Sequence, residues 1–477
     1  MVIVCGDSMC EMLNYWLKTV DDYIWGIPLM GLILSGGLML TVRLKVIQIR
    51  KLPFALRLVF GKNNEDDGDA EGEVTSFAAL CTALAATIGT GNIVGVATAI
   101  SAGGPGALFW MEIAAFIGMA TKYAEGLLAV KYRVMDENKH AIGGPFYYIE
   151  KGMGPGYKWL ARMFAFFGIC AGLFGIGTFS QVNSITAAIG NSFESEGTGN
   201  IMISVVGKYP PVTVITSVVL TLIVALVLVG GIKRIAKVSE MVVPFMALAY
   251  ITATMALLFC NAGKIPESVA LIVKGAFAPK AVGAGAAGTM YVVMQKGVAR
   301  GIFSNESGLG SAPIAAAAAK TKEPVQQGLV SMTGTFIDTI IICTMTGLSI
   351  VVTGAWKVEG LQGVEITAYA FNHGLPLSYV ASSFLIMICL IFFAFTTILG
   401  WNYYSERCLE YLTGRKNVVW FRWVYVFVVF VAPYISVTTV WMIADIFNGL
   451  MAVPNMIAIF SLSKVVTEET KNAIDQK

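Results

Sequence analysis

Apolar runs of roughly 20 residues, the length that crosses a bilayer, recur along almost the whole chain. Eleven begin near Tyr23, Thr75, Gly106, Trp159, Pro210, Glu240, Gly285, Gly328, Leu377, Phe421 and Asp445. The fifth and sixth are separated only by GIKRIAKVSE, and the last is short. The pattern predicts an all-α polytopic membrane protein of about 11 transmembrane helices, one membrane domain over residues 1–477.

Two of these runs are interrupted by small polar residues at bilayer depth. One reads LAATIGTGNIVGV (Leu84–Val96), the other GIFSNESGLGSAPIAAAAA (Gly301–Ala319). Lipid cannot hydrogen-bond a free N–H or C=O. Irregular backbone therefore persists at that depth only inside protein or along a cavity. Interrupted spans in corresponding places of two halves point to the midplane binding site of a solute carrier.

The halves are visible as a plan rather than as sequence identity. With the first helix set aside (residues 1–62, including an inside loop), ten helices remain. They divide into groups of five, over residues 63–280 and 281–477. Each group starts with an interrupted helix. An odd number of helices per group forces the second to insert upside down, an inverted-topology 5+5 repeat.

Composition agrees. The chain is 56% hydrophobic and 13% charged, against about 25% charged in a soluble domain, and its mean hydropathy is +0.72. Charge adds orientation. With the N-terminus outside, segments 43–62, 131–162, 231–238, 320–326, 403–422 and 464–477 face inward and hold 24 of the 33 Lys and Arg. Six lie outside and three (Lys122, Lys296, Arg300) fall in spans. That bias satisfies the positive-inside rule. It predicts a multi-pass protein of the plasma membrane, with an external N-terminus and a cytoplasmic C-terminus.

The net charge of +3 is no sign of a nucleic-acid partner, because the basic residues sit at membrane edges. No basic start followed by an apolar run marks a cleaved signal peptide. Most cysteines lie in or beside spans. Cys5 and Cys10 sit outside, where free thiols are the expectation over a disulfide. No Cys/His spacing resembles a metal site. Only two histidines, His140 and His373, are present, both expected in loops. That weighs against an embedded hydrolase or a histidine proton relay, so no enzyme and no bound cofactor are expected. Asn63–Glu73 reads as a polar acidic inside loop, and Pro145–Leu160 as an interfacial helix and turn, or an ordinary loop.

The candidate chemistry sits in four places. In the first break, Gly89, Thr90, Gly91 and Asn92 cannot sustain a helix together, since each glycine costs about 1 kcal/mol relative to alanine. Unwinding frees carbonyls for a cation, and N–H groups near Ile93 for a carboxylate. Asn92 fits an N-cap and adds an amide for a substrate. Close helix packing through small residues is the competing use.

In the second break, Glu306 is a carboxylate well inside a span. It could cap the following half-helix, pair with Arg300 or balance a cation, and a structural role within a functional loop is favoured. Phe303 fits a pocket wall or ordinary packing.

In helix nine, Thr396 and Thr397 offer hydroxyls to a small alkali cation, or back-bond to their own helix. Trp401 shares a face with Thr397. In helix four, Gln181 and Asn183 are amides that could bond substrate or link helices. Asp338 is expected in a salt bridge, and Glu112, Lys122 and Glu125 in mutual pairs.

The strings GTGNIVGVATAISAGGPGALFWM, ATKYAEGLLAVKYR, GGPFYYIEKGMG, FSNESGLGSAPIA and TTILGWNYYSE, in that order, resemble the alanine/glycine:cation symporter family, or sodium:alanine symporters. The resemblance runs through most of the chain. It implies the amino acid–polyamine–cation fold of leucine-type transporters and sodium-coupled uptake of alanine or glycine; separately, a monomer is the expected working unit, with a dimer left open. A proton-coupled or exchange carrier of that fold is the alternative. It points to Thr90, Gly91, Asn92, Gln181, Phe303, Thr397 and Trp401 for substrate. It places sodium at the carbonyls of Ala86 and Gly89 with the hydroxyls of Thr396 and Thr397. Two positions depart from the family pattern: Ser307 stands where it has alanine, and Ala316 lies near a frequent histidine.

Overall fold

The structure, a computed structural model, describes residues 7–61, 72–136, 140–193, 201–203, 207–278, 290–435 and 437–475. Cys5, most of the acidic loop and the expected start of the seventh run near Gly285 lie outside these residues.

Nearly all of the described chain is helical. Among the described residues nine helices are long and apolar enough to cross a membrane, ten when the bent pair Ser76–Thr87 and Gly91–Gly103 counts as one span. The second interrupted run falls outside that set, because its pieces, Met290–Asn305 and Ala312–Ala316, are 16 and 5 residues long. Two small antiparallel hairpins, Val134–Met135 with Ala141–Ile142 and Ile201–Ile203 with Gly207–Tyr209, complete the regular structure described.

Several boundaries differ from the sequence expectation. The basic stretch GIKRIAKVSE is no linker: it forms the first turns of the helix Gly231–Cys260. Gly231 enters that helix at φ +62, which an L side chain rarely adopts. The first span begins earlier than Tyr23, with Asp7–Ile24 leading into Ile27–Arg43. His373 lies in the last turn of the helix Val364–Gly374, not in a loop. The Pro145–Leu160 segment is a run of short helical turns, as one of its two readings held.

Capping places the key helices. Thr75 Oγ1 accepts from the Ala78 N–H at 3.0 Å, and Ser378 Oγ from the Ala381 N–H at 3.3 Å. Each satisfies a donor that the first helical turn leaves open. These two caps start the first broken helix and the long helix Tyr379–Thr413.

The helix Gly106–Lys131 lies at the centre, and most of its residues are buried. It packs on Met290–Asn305, Ala312–Ala316 and Pro324–Thr335. A Cβ on Gly106 would lie 2.2 Å from the Gly275 carbonyl carbon and 2.3 Å from the Ala276 nitrogen, both backbone. Backbone cannot rotate away as a side chain can. Gly106→Ala is therefore expected to destabilise the fold by about 1–3 kcal/mol through overpacking, read as a lower midpoint in a detergent melt.

The helix Tyr379–Thr413 packs on Ser76–Thr87, Lys158–Phe174, Phe179–Phe193 and Gly231–Cys260. Peripheral helices present apolar side chains outward, as Leu222, Leu226, Met241, Phe245 and Leu248 do. Such a face suits lipid.

One end of the bundle is rich in basic residues, and there the two broken helices are joined. Val74 and Ala319 form a parallel backbone bridge. The Glu73 N–H donates to Ala318 O at 2.8 Å, and the Lys320 N–H to Val74 O at 2.7 Å. The Arg133 guanidinium donates to the carbonyls of Ala317 (3.1 Å), Ala319 (2.6 Å) and Thr321 (2.9 Å). Close by, Arg407 is only 4% exposed on its side chain and pairs with Glu406 at 3.1 Å and Glu410 at 2.5 Å. Its Nη1 lies 3.0 Å from His140 Nε2, while His140 Nδ1 lies 2.5 Å from Glu73 Oε2.

Candidate functional site

The first broken helix stops at Thr87, turns through Ile88–Thr90, continues as a wide turn over Gly91–Gly95 and resumes at Val96. The helix axis bends by 51° across the break. Asn92 works inside this turn. Its Oδ1 accepts from the Gly89 N–H at 2.9 Å, and its Nδ2 donates to the carbonyl (3.1 Å) and carboxylate (2.8 Å) of Asp338. Asn92 thus caps backward onto the break, where the sequence suggested a forward N-cap, and both ends of its amide have protein partners.

Two other helices converge on the same turn. From Phe179–Phe193, Gln181 Oε1 accepts from the Thr90 N–H at 3.3 Å, while its Nε2 donates to Ile176 O at 3.0 Å. From Tyr379–Thr413, Thr397 Oγ1 donates to Phe393 O at 2.9 Å and reaches Ile88 O at 3.4 Å. Gly89 lies between them. A Cβ there would be 2.5 Å from Thr397 Oγ1 and 3.4 Å from Gln181 Oε1. Below this point Ala86 packs on Gly400, whose added Cβ would lie 2.8 Å from the Ala86 nitrogen. The Thr90 hydroxyl is buried without a hydrogen-bond partner among the described residues.

Thr396 points elsewhere. Its hydroxyl bonds the carbonyls of Phe392 (3.0 Å) and Phe393 (3.1 Å) and lies 3.5 Å from Met246 Sδ. Asn183 donates to Phe179 O at 2.9 Å and Ala432 O at 3.0 Å, so it links helices.

The second break is a loop of left-handed residues, with Glu306 at φ 56, Gly308 at φ 89 and Gly310 at φ 81. Glycine takes this conformation freely; glutamate does so only when held. Its carboxylate accepts from the Ser311 hydroxyl and, at 2.8 Å, from Trp401 Nε1. Glu306 therefore ties the loop to the long helix. Arg300, its possible partner from sequence, instead pairs with Asp445 at 3.0 Å. Phe303 lies beside Gly91, a Cβ on which would be 3.5 Å from its ring. Ser307 shares a hydroxyl bond with Thr335 at 3.0 Å.

The expected pairing of Lys122 with Glu112 and Glu125 is not what the geometry gives. Lys122 Nζ donates to Asn305 O at 2.7 Å, at the C-terminus of the half-helix, where a cation complements the helix dipole. Glu125 Oε1 accepts from the Gly308 N–H at 3.1 Å and Asn455 Nδ2 at 2.6 Å. Asp338 forms no salt bridge among the described residues; its partners are Asn92, Ser304 (2.8 Å) and Thr339 (2.7 Å).

The structure thus gathers Thr90, Gln181 and Thr397 around Gly89, sets Phe303 against Gly91 and hangs Trp401 on the facing loop. Thr90, Asn92, Gln181, Phe303, Thr397 and Trp401 are each at most 2% exposed. Sequence reasoning missed Asn455, which bridges Glu125 and Gly308 O (2.9 Å), and Cys343, 3.2 Å from Ser304 Oγ. It also missed an interruption between Phe174 and Phe179. There Gly177 nests against Trp401, a Cβ on it falling 2.6 Å from Trp401 Cβ. The string FGIGTF carried that signal.

Comparison with known proteins places the chain among carriers. Residues 10–477 match the model of the sodium:alanine symporter family. An uncharacterized transporter of Haemophilus influenzae is 54% identical over 96% of this chain and 95% of its own length. The sodium/alanine symporter AgcS of Methanococcus maripaludis is 46% identical over 95% of this chain and 96% of its own. A probable sodium/glutamine symporter of Bacillus subtilis, GlnT, is 37% identical over 98% and 92% respectively.

Proposed function

This chain belongs to the sodium:alanine symporter family, and on that premise we propose that it takes up alanine or glycine together with sodium by alternating access. Cation-coupled amino-acid symport across a membrane is what the family performs. Substrate, ion and residue roles are our reading.

The observation that carries it is the convergence of Thr90, Gln181 and Thr397 on the unwound backbone at Gly89. Hydroxyl and carbonyl oxygens suit an alkali cation. We place sodium at the carbonyls of Ala86 and Gly89 and at Thr397. Thr396 belongs to the same site only if its hydroxyl leaves its own helix.

The substrate carboxylate meets the start of the second limb near Thr90, Gly91 and Asn92, where the positive end of the helix dipole favours an anion. Gln181 orients it. Phe303 and Trp401 bound the side chain, so a methyl or hydrogen fits and a larger group suffers by overpacking. The repeat assigned from sequence supplies the motion: two inverted five-helix groups, preceded by one extra helix, rock about this centre in a monomer. The basic end faces the cytoplasm. A −100 mV potential then adds about 2.3 kcal/mol per sodium ion.

The test is uptake of labelled alanine into proteoliposomes under an inward sodium gradient, with matched potassium and proton gradients beside it. Accumulation above the external concentration only with sodium is expected. Accumulation driven by protons, or exchange against preloaded amino acid alone, would refute sodium coupling.

A further inference from the structure

We propose that His140 is a pH-operated latch. As a neutral ring it ties the joined ends of the two broken helices to the long helix Tyr379–Thr413, and its protonation releases them. This rests on the alternating-access reading above, in which the basic end of the bundle opens to the cytoplasm.

The ring is held from both sides. Its Nδ1 lies 2.5 Å from Glu73 Oε2 and its Nε2 lies 3.0 Å from Arg407 Nη1. A guanidinium only donates, so Nε2 presents its lone pair and the ring proton sits on Nδ1, facing the carboxylate. A second proton has only Nε2 to bind, where it would stand N–H against N–H at the guanidinium. Proton binding and the Arg407 contact therefore exclude each other, and by linkage acid favours the parted state.

The two sides of the latch belong to different parts of the fold. Glu73 precedes the first broken helix, and its N–H donates to Ala318 O, beyond the second break. Its other carboxylate oxygen accepts from the Ala141 N–H at 3.2 Å, next to His140 in the hairpin. Arg407 stands on the long helix. Asp136 of the hairpin also meets Arg415, just past the long helix, but that pair is largely exposed and contributes little. The stacked rings of Phe146 and Tyr411 join the same parts further along, in a contact indifferent to pH. The Glu73 and Arg407 side chains are each 4% exposed, so the ring between them is the buried polar link.

Protonation of the ring disturbs little else. Arg407 keeps Glu406, Glu410 and the face of Tyr403, Arg422 keeps Glu406, and Arg133 keeps its carbonyls. Asp136 accepts the backbone N–H of His140 at 2.8 Å, whatever the charge on the ring. A cavity of about 320 Å³, bordered by the ring, Lys233 and the two glutamates of the long helix, brings water to the imidazole. Imidazoles change charge between about pH 5 and 8, so the latch reads the acidity of the compartment at the basic end. Acid there frees the broken helices to part from the long helix.

The test is hydrogen exchange in the purified full chain at about pH 8 and about pH 5, the two ends of the imidazole range. Wild type and His140→Gln, which is neutral throughout, are compared at the same pH, so intrinsic exchange rates cancel. Over residues 73–87 wild type is expected to exchange at least fivefold faster than the variant in acid and at a similar rate in base. In proteoliposomes oriented with the basic end in the lumen, acidifying the lumen alone is expected to raise wild-type sodium-driven alanine uptake at least threefold and to leave His140→Gln unchanged. Should that variant fail to purify as a monodisperse protein, Glu73→Gln is expected to move the acid response to lower pH, because the charged ring loses its carboxylate.

The same acid response in His140→Gln as in wild type would overturn the latch. So would a wild type without an acid response, or an unmoved response in Glu73→Gln where it stands in. Exchange that responds as expected in a wild type that takes up no alanine under any gradient would support the latch and refute the symport reading.

Discussion

Asn92→Ala is expected to lower the initial rate of alanine uptake by about 30-fold or more at equal amounts of inserted protein. The truncation removes the acceptor of the Gly89 N–H and a donor of the Asp338 carboxylate. Each buried polar group left unmatched is worth about 1–3 kcal/mol. Two such losses at the turn that shapes the site exceed the roughly 1.4 kcal/mol that separates rates tenfold. Asn92→Asp sharpens the result. It keeps an acceptor for Gly89 but puts a second carboxylate where Nδ2 now lies 2.8 Å from Asp338, so it too is expected to fail. Wild-type uptake by Asn92→Ala would show that the cap does not shape the transport site.

The second large effect is on stability. Arg407→Leu is expected to destabilise the protein by about 3–5 kcal/mol, because removing one partner leaves buried opposite charges uncompensated. Glu406 keeps Arg422, which meets it with two bonds of 2.7 Å. Glu410 loses its salt-bridge partner, and His140 loses the guanidinium at its Nε2. The check is a detergent melt beside Asp136→Asn, whose partner Arg415 has a side chain 59% exposed and whose loss is expected to cost under 1 kcal/mol. Equal melting of Arg407→Leu and wild type would mean that water already satisfies the cluster.

Much of this was legible in the sequence because the bilayer allows so few structures. Apolar length located most spans, and Gly89–Gly91 with Gly308 and Gly310 marked both breaks, since these residues weaken a helix wherever they sit. Orientation about a helix axis was not legible. Thr396 and Thr397 are adjacent, yet one faces Met246 and the other the break, a difference of about 100° that follows from 3.6 residues per turn.

The charged residues misled for a related reason. Sequence proximity joined Lys122 to Glu125 and Arg300 to Glu306, whereas the fold offered each a different partner more than a hundred residues away. The basic stretch before Glu240 read as a loop because its charges outweigh its helical periodicity. Such charges are ordinary in the first turns of a membrane helix that emerge into the interface.

The bridge between Val74 and Ala319 has a further consequence for how faithfully ion and solute flows are locked together. If either broken helix could swing alone at that end, an ion could leave while the amino acid stayed, and the gradient would run down without work. Peptide groups in the segments flanking the two helices bond directly there, and Arg133 holds the carbonyls beside them. On the symport reading the pair is expected to move together at that end, which disfavours the half-open arrangement through which such slippage would pass. Because the bridge is made of backbone, it does not depend on which side chains stand at positions 74 and 319.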